Sequence, residues 1–245
     1  MAKKAIPLSD LPVVTRHSLP DFKADNFTSG AAVLIDKPLE WSSFDVVRYV
    51  RNRIPPKKVG HAGTLDPLAT GLLVLCTGKA TKTISQIQAG EKEYVTTIKF
   101  GESTPSYDAA LPADDTAPFE HITREKIETL LKEEFSGTIT QLPPIYSAIR
   151  VEGERLYKKA RRGEDVNLPP RQVTILEVEI LDERLPELDL RIKCGKGTYI
   201  RSIAHDLGKA AGSLAHILSL RRTRIGEFSV EDAVTPTEFD THING

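Results

Sequence analysis

The sequence predicts an α+β fold built on a mixed, mostly antiparallel sheet with flanking helices. Three observations carry this reading. Residues 91–100 alternate, with Tyr94, Thr96, Ile98 and Phe100 on one face, which is the period of a half-buried strand. Residues 173–181 and 188–194 form a likewise patterned pair, with Leu188, Leu190, Ile192 and Cys194 in phase, as in an antiparallel hairpin. Helical segments fall between such strands without the regular strand–helix–strand rhythm of a doubly wound sheet.

Residues 1–30 hold three prolines and no sustained period. They read as an N-terminal extension, ordered in part by Val13, Val14 and Phe22, before a domain spanning 31–245. Residues 31–36 form a short apolar strand. Ser42 or Ser43 can cap a helix carrying Phe44, Val47, Tyr49 and Val50. Residues 60–66 make a loop, 71–76 a buried strand and 79–88 a short helix. The polar, proline-bearing stretch 103–118 is a loop. Residues 123–135 form an amphipathic helix with Ile127, Leu130 and Leu131 on its apolar stripe. Residues 141–150, around Pro143 and Pro144, are extended, and 154–162 read as a basic helix ending at Gly163. Helices are expected at 199–211 and 215–220.

A chain of 245 residues with 40% hydrophobic and 27% charged residues can bury a core, as one large domain or two small ones. No apolar run approaches the roughly 18–20 residues that span a bilayer. Lys3 and Lys4 are not followed by the apolar stretch of a signal peptide. A cytoplasmic protein without a membrane partner is expected. Cys76 and Cys194 sit in apolar strand-like runs and read as small buried hydrophobes. The net charge of −1 does not announce a nucleic-acid partner. Basic residues nevertheless cluster at Arg48, Arg51, Arg53, Lys57 and Lys58, at Arg150, Arg155, Lys158, Lys159, Arg161 and Arg162, and at Arg221, Arg222 and Arg224. Such segregation can leave one basic face on a neutral protein, although each cluster alone equally describes a solvated helix face.

The segment GHAGTLDPLATG, residues 60–71, is the most unusual. Pro67 removes a backbone donor and biases Asp66 toward extended geometry, while the glycines permit close approach of a backbone or ligand. A carboxylate held there could be a nucleophile, a general base or a metal ligand. As an Asp-Pro pair it could equally start a turn, and spacing alone favours the turn. No second carboxylate stands nearby for a glycosidase pair, and no metal or nucleotide motif is present. The segment GKGTYIRS, residues 195–202, follows a strand and opens a helix, so Arg201 could reach back to a carboxylate or phosphate. Tyr94 could stack on a base or cover the edge of the core.

Taken in order, these segments resemble the TruB family of tRNA pseudouridine synthases. Val33-Leu34-Ile35-Asp36-Lys37-Pro38 with Trp41-Ser42-Ser43 matches the family's first motif, and residues 60–71 match its catalytic motif almost letter for letter. Lys92-Glu93-Tyr94 resembles the motif of the active-site tyrosine. Gln141-Leu142-Pro143-Pro144-Ile145-Tyr146-Ser147-Ala148 with Gly153, Leu156-Tyr157 and Ala160-Arg161 resembles the family's central stretch, and Gly197-Thr198-Tyr199-Ile200-Arg201 and Leu220-Arg221-Arg222 complete the set. The matches span residues 31–226.

The resemblance implies the pseudouridine synthase fold with a central catalytic cleft between two halves of the sheet. It implies isomerisation of a uridine in the T loop of tRNA, at position 55. Asp66 would initiate the chemistry, Arg201 would pair with it and keep it ionised, and Tyr94 would stack on the target base. His61, Tyr199 and Leu220 would line the site that receives the flipped nucleotide, with Lys37 beside it as a structural or phosphate contact. Attack of Asp66 on the base, attack on C1′ and removal of a ribose proton all remain open. The glycosidic bond breaks, the uracil rotates and C5 bonds to C1′, with no redox or hydrolytic step. No cofactor, no metal and no obligatory protein partner are therefore expected, the partner being the tRNA T stem-loop. Residues 108–168 are expected to form an RNA-contacting insertion. No C-terminal PUA domain is expected, because only about twenty residues follow the last motif, fewer than the ~50 a domain needs. The stretch ESTPSYDAAL lacks the family's Asp-rich, glycine-ended loop, so no role is carried onto Asp108. The alternative class is an RNA-binding protein that acts mainly as a tRNA-folding chaperone.

Overall fold

A computed structural model describes residues 5–55, 58–147, 150–151, 154–156, 162 and 168–244. In chain order the elements are β1 (Val13–Val14), α1 (Ala24–Ser29), β2 (Ala32–Lys37), α2 (Ser43–Arg51), β3 (Val59–His61), β4 (Ala69–Thr77), α3 (Ile84–Ala89), β5 (Lys92–Phe100), β6 (Glu102–Ser103), β7 (Asp115–Thr116), α4 (Arg124–Glu133), β8 (Gly137–Gln141), β9 (Arg150–Val151), β10 (Glu154–Arg155), β11 (Arg171–Arg184), β12 (Glu187–Cys194), α5 (Ile200–Ala210), β13 (Ala215–Ile225), β14 (Phe228–Ser229) and α6 (Pro236–Asn244). They pack as two units, one made of residues 1–94 and 220–245, the other of 95–219.

The first unit is organised by β4. It pairs antiparallel with β2, from Ala32↔Cys76 to Lys37↔Gly71, and with β3. It also pairs in parallel with residues 220–222 of β13. Because both faces of this sheet are covered, its strands are continuous apolar runs rather than alternating ones. Val33, Ile35, Leu73 and Leu75 join Val46, Val47 and Val50 of α2 and Phe239 of α6. On the other face Ala32, Leu34, Leu72, Val74 and Cys76 meet Ile87, Ile225 and Phe228. Each large side chain so buried contributes about 1.5–3 kcal/mol. Helix α2 starts at a capping box: the Ser42 hydroxyl accepts from the Asp45 N–H, and the Asp45 carboxylate accepts from the Ser42 N–H. Residues 5–30 are built into this unit, with β1 parallel to β2 and Leu11, Val14, Leu19 and Phe27 buried. The helix expected over 79–88 is divided into a 3-10 turn, Gly78–Lys82, and α3. Between them Thr83 donates its hydroxyl proton to the Ile6 carbonyl.

In the second unit β12 lies between β5 and β11, and β8 lies on the outer side of β11. The inward residues of β5 and β12 alternate as the sequence pattern requires. Helix α4 is capped by Thr123, whose hydroxyl accepts from the Lys126 N–H, and buries Ile127 and Leu131. The stretch 108–168 contains β7, α4, β8, β9 and β10.

One expected helix is a strand, and the first two residues of another lie in one. Residues 215–220 open the strand β13 rather than a helix. An apolar run that short does not distinguish the two periods, and the pairing that continues along the strand from Leu220 decides it. Glu154 and Arg155, expected to begin the basic helix, pair antiparallel with Arg150 and Val151. Most of that helix lies outside the described residues, including Lys158, Lys159 and Arg161, and so does Lys57 of the first basic cluster. Arg162 forms an ion pair with Glu154 at 2.7 Å.

Candidate active site

Asp66 stands in the first unit, on the loop between β3 and β4, half-buried and with its carbonyl accepting from the Ala69 N–H at 3.0 Å. Four neighbours immobilise that loop. The Ser43 hydroxyl donates to the Leu65 carbonyl at 3.0 Å and accepts from the Leu65 N–H at 2.8 Å. The Glu40 N–H donates to the Pro67 carbonyl at 2.9 Å. Lys37, with no exposed surface, donates to the carbonyls of Pro38, Trp41 and Pro67 at 2.9, 2.5 and 3.3 Å. An ammonium has three hydrogens, so in this arrangement Lys37 acts as a structural cation with all its donors engaged. Burial pushes its ammonium down to about 8, a fall that the nearby Asp66 charge opposes and the Arg222 charge assists.

Arg222 is the fourth. It is 1% exposed and donates to the Leu72 carbonyl at 2.8 Å and the Gly63 carbonyl at 3.2 Å. Its own backbone lies against Gly71 in the parallel pairing of β13 with β4. Gly71 has φ +96°, and a Cβ there would come 2.3 Å from the Arg222 carbonyl oxygen. Only glycine fits both demands. Thus the two ends of the segment 60–71 are gripped by one arginine from the far end of the chain.

Other expected site residues share this unit. His61 ends β3 opposite Leu75, Tyr94 is buried on β5 and Leu220 is buried on β13 opposite Ala69. Next to Leu220, Arg221 forms a two-pronged ion pair with Asp36 at 3.0 and 2.7 Å. The third basic cluster is therefore not a single solvated face: Arg221 is paired, Arg222 is buried and Arg224 is exposed.

Tyr199 and Arg201 lie in the second unit, at the start of α5. Gln141 accepts from the Tyr199 N–H at 2.8 Å and donates to the Tyr199 carbonyl at 3.0 Å. It thereby satisfies one of the orphan donors of a helix N-terminus. The Ser202 hydroxyl donates to the Leu142 carbonyl at 2.8 Å. Arg201, 3% exposed, donates to the Ser106 and Tyr146 carbonyls, each at 2.8 Å, and its Nη1 lies 3.6 Å from the Asp108 carboxylate. Asp108 is itself buried and accepts from the Ser106 hydroxyl at 2.6 Å and the Ala110 N–H at 3.0 Å.

The sequence alone assigns no site role to Ser106 or Asp108, and marks Ser43 only as a candidate helix cap and motif letter and Arg222 only as a motif letter in a basic cluster. The signal for Arg222 was available: along a strand it is in phase with Leu220 and thus faces inward, but the preceding residues read as helical. Among the described residues no group of His, Cys, Asp and Glu could hold a metal ion, and no helix is long and apolar enough to cross a membrane.

Residues 51–200 match the family described as TruB family pseudouridylate synthase (N terminal domain), and residues 201–244 match the tRNA pseudouridylate synthase B C-terminal domain. The chain is 49% identical over 221 residues to the tRNA pseudouridine synthase B of Parabacteroides distasonis, covering 88% of this chain and 94% of that protein. It is 50% identical over 223 residues to the tRNA pseudouridine synthase B of Flavobacterium johnsoniae, covering 88% and 97%. Among solved structures, the archaeal box H/ACA sRNP Nop10-Cbf5 complex holds a chain that superposes with a TM-score of 0.66 at 24% identity. That alignment covers 99% of this chain and 61% of the other, and it shows the shared fold. The mixed sheet with flanking helices is the pseudouridine synthase fold, and the chain belongs to the TruB family of pseudouridylate synthases.

Proposed function

We propose that this protein isomerises uridine to pseudouridine in tRNA, at position 55 of the T loop, with Asp66 as the initiating carboxylate. The observation that carries the reading is the Asp66 loop. Its sequence resembles the family's catalytic motif, and its backbone is fixed by Ser43, Glu40, Lys37 and Arg222. A carboxylate on so constrained a backbone is preorganised for one geometry. In the reaction the N1–C1′ bond breaks, the uracil turns and a C5–C1′ bond forms. The C5 proton is lost and N1 ends protonated, so atoms and electrons balance without an added reagent. Tyr94 offers its ring face to the base, His61, Tyr199 and Leu220 receive the extruded nucleotide, and Arg201 serves the same step as a cation. The partner is the T stem-loop, and the cytoplasm is where such a substrate is met.

The test is Asp66→Ala on a T-arm RNA, with pseudouridine read by mass spectrometry after chemical labelling. Turnover is expected to fall by about 10³-fold or more, as for removal of a group that makes the covalent chemistry possible. Surviving turnover would remove Asp66 from this role. A wild-type chain that binds the RNA and never converts uridine would instead favour the folding-chaperone class.

A further inference from the structure

Arg201 does not hold its position alone. Its guanidinium is gripped by the Ser106 carbonyl at 2.8 Å and faces Asp108 at 3.6 Å, so both groups come from the short loop 104–108. The residue between them, Tyr107, has φ +62°, a left-handed conformation that a bulky side chain rarely adopts. Strain of this kind persists only where surrounding structure over-determines it. Here the surroundings are explicit. The Tyr107 N–H donates to the Thr104 carbonyl at 3.1 Å, and its carbonyl accepts from the Ile217 N–H at 3.1 Å. The Thr104 hydroxyl donates to the Asp108 carbonyl at 2.7 Å.

The Tyr107 ring then lies flat on His205, with centroids 3.8 Å apart and planes 13° from parallel. His205 is four residues beyond Arg201 on α5, so both project from one face of that helix. The loop that holds the guanidinium is thus itself pinned to the helix that carries it. His205 works in this contact as a ring rather than as a hydrogen-bonding group: its Nδ1 is buried and meets no hydrogen-bond partner among the described residues. Burial, assisted by Lys209 and opposed by Asp114, pushes the imidazole down to about 4, leaving it neutral at neutral pH.

We propose that Tyr107 and His205 are positioning residues for Arg201, their stacked rings clamping the loop whose Ser106 carbonyl and Asp108 carboxylate fix the guanidinium. The proposal rests on the reading of Arg201 as a participant in the isomerisation. Pseudouridine formation is measured on full-length tRNA with the whole chain. His205→Ala is expected to lower kcat about 10- to 100-fold, the cost of a small misplacement, while KM changes less than about twofold. His205→Phe keeps a flat ring and discards both nitrogens, and is expected to return kcat to within about threefold of wild type. Tyr107→Leu removes the other ring and is expected to show the same fall in kcat, so it carries the test where His205→Ala fails to fold. The Arg201 Nε resonance in nitrogen-15 spectra is expected to shift in both ring deletions and to return in His205→Phe.

Unchanged kcat in both ring deletions, a phenylalanine variant as slow as the alanine variant, or a stationary Arg201 resonance each overturns the clamp. Arg201→Lys separates the two readings. A loss of kcat there with none in the ring deletions overturns the clamp alone. An unchanged kcat there removes the reading of Arg201 and the proposal with it.

Discussion

In the first unit two buried cations hold a loop, whereas in the second a loop holds a buried cation. Lys37 and Arg222 spend their donors on the carbonyls of Pro38, Trp41, Pro67, Leu72 and Gly63, and Asp66 rides on the backbone they fix. Arg201 is gripped by the carbonyls of Ser106 and Tyr146, and the fixed object is the guanidinium itself. Charge-assisted hydrogen bonds to backbone carbonyls are short and strong, and they offset the cost of taking a cation out of water. The difference lies in what is held: the backbone that carries Asp66 in the one unit, the Arg201 side chain itself in the other.

That contrast is broken most strongly at Arg201. Arg201→Ala is expected to lower kcat for pseudouridine formation about 100- to 1,000-fold, the usual cost of a lost preorganised charge. The two carbonyls left bare add a loss of about 1–3 kcal/mol, measurable by chemical denaturation. Arg222→Met, the mirror experiment, is expected to cost about 2 kcal/mol of stability through the unsatisfied Leu72 and Gly63 carbonyls. Its effect on kcat should be smaller than that of Arg201→Ala, and an equal effect would give Arg222 a direct part in the reaction.

The smallest effects are in pH dependence, and they fall in separate windows. Lys37 titrates at about 8 in the folded chain against an ordinary 10.5, so between those values the unfolded state binds more protons and stability rises with pH. Lys37→Met should abolish that rise. His205 titrates at about 4 against 6.5, so stability is lost as pH falls from about 6.5 to about 4. His205→Phe should remove that loss. Denaturation midpoints across pH 4–10 read both windows, and a wild-type profile flat in either window breaks the corresponding half of the comparison.

Where the chain's own period decides an element, sequence was sufficient. The alternation of β5 and β12 places Tyr94, Ile98, Leu188 and Ile192 inward, and Ser42 caps α2. Where a distant partner decides, it was not. Residues 215–220 read as helix until β4 pairs with the strand that continues from them. Residues 5–30 have too few periodic apolar positions to announce that Val14 and Phe27 enter a core. The candidate site divides in the same way. Asp66, His61 and Arg201 stand in motifs legible letter by letter. Ser43 and Arg222 hold the Asp66 loop through the backbone of Leu65, Leu72 and Gly63 and Asp108 faces Arg201 through its carboxylate, and these pairings across the chain are not legible in a linear pattern.

The junction of Gly71 with Arg222 sets an order of events during synthesis. Arg222 is separated from Leu72 by 150 residues of chain, and the intervening unit can assemble first. A ribosome must deliver β13 before the Arg222 guanidinium can reach the Leu72 and Gly63 carbonyls, and contacts of such long sequence separation form late because loop closure must be met before they return anything. A nascent or truncated chain that stops short of Arg222 therefore carries Asp66 on an unlocked loop.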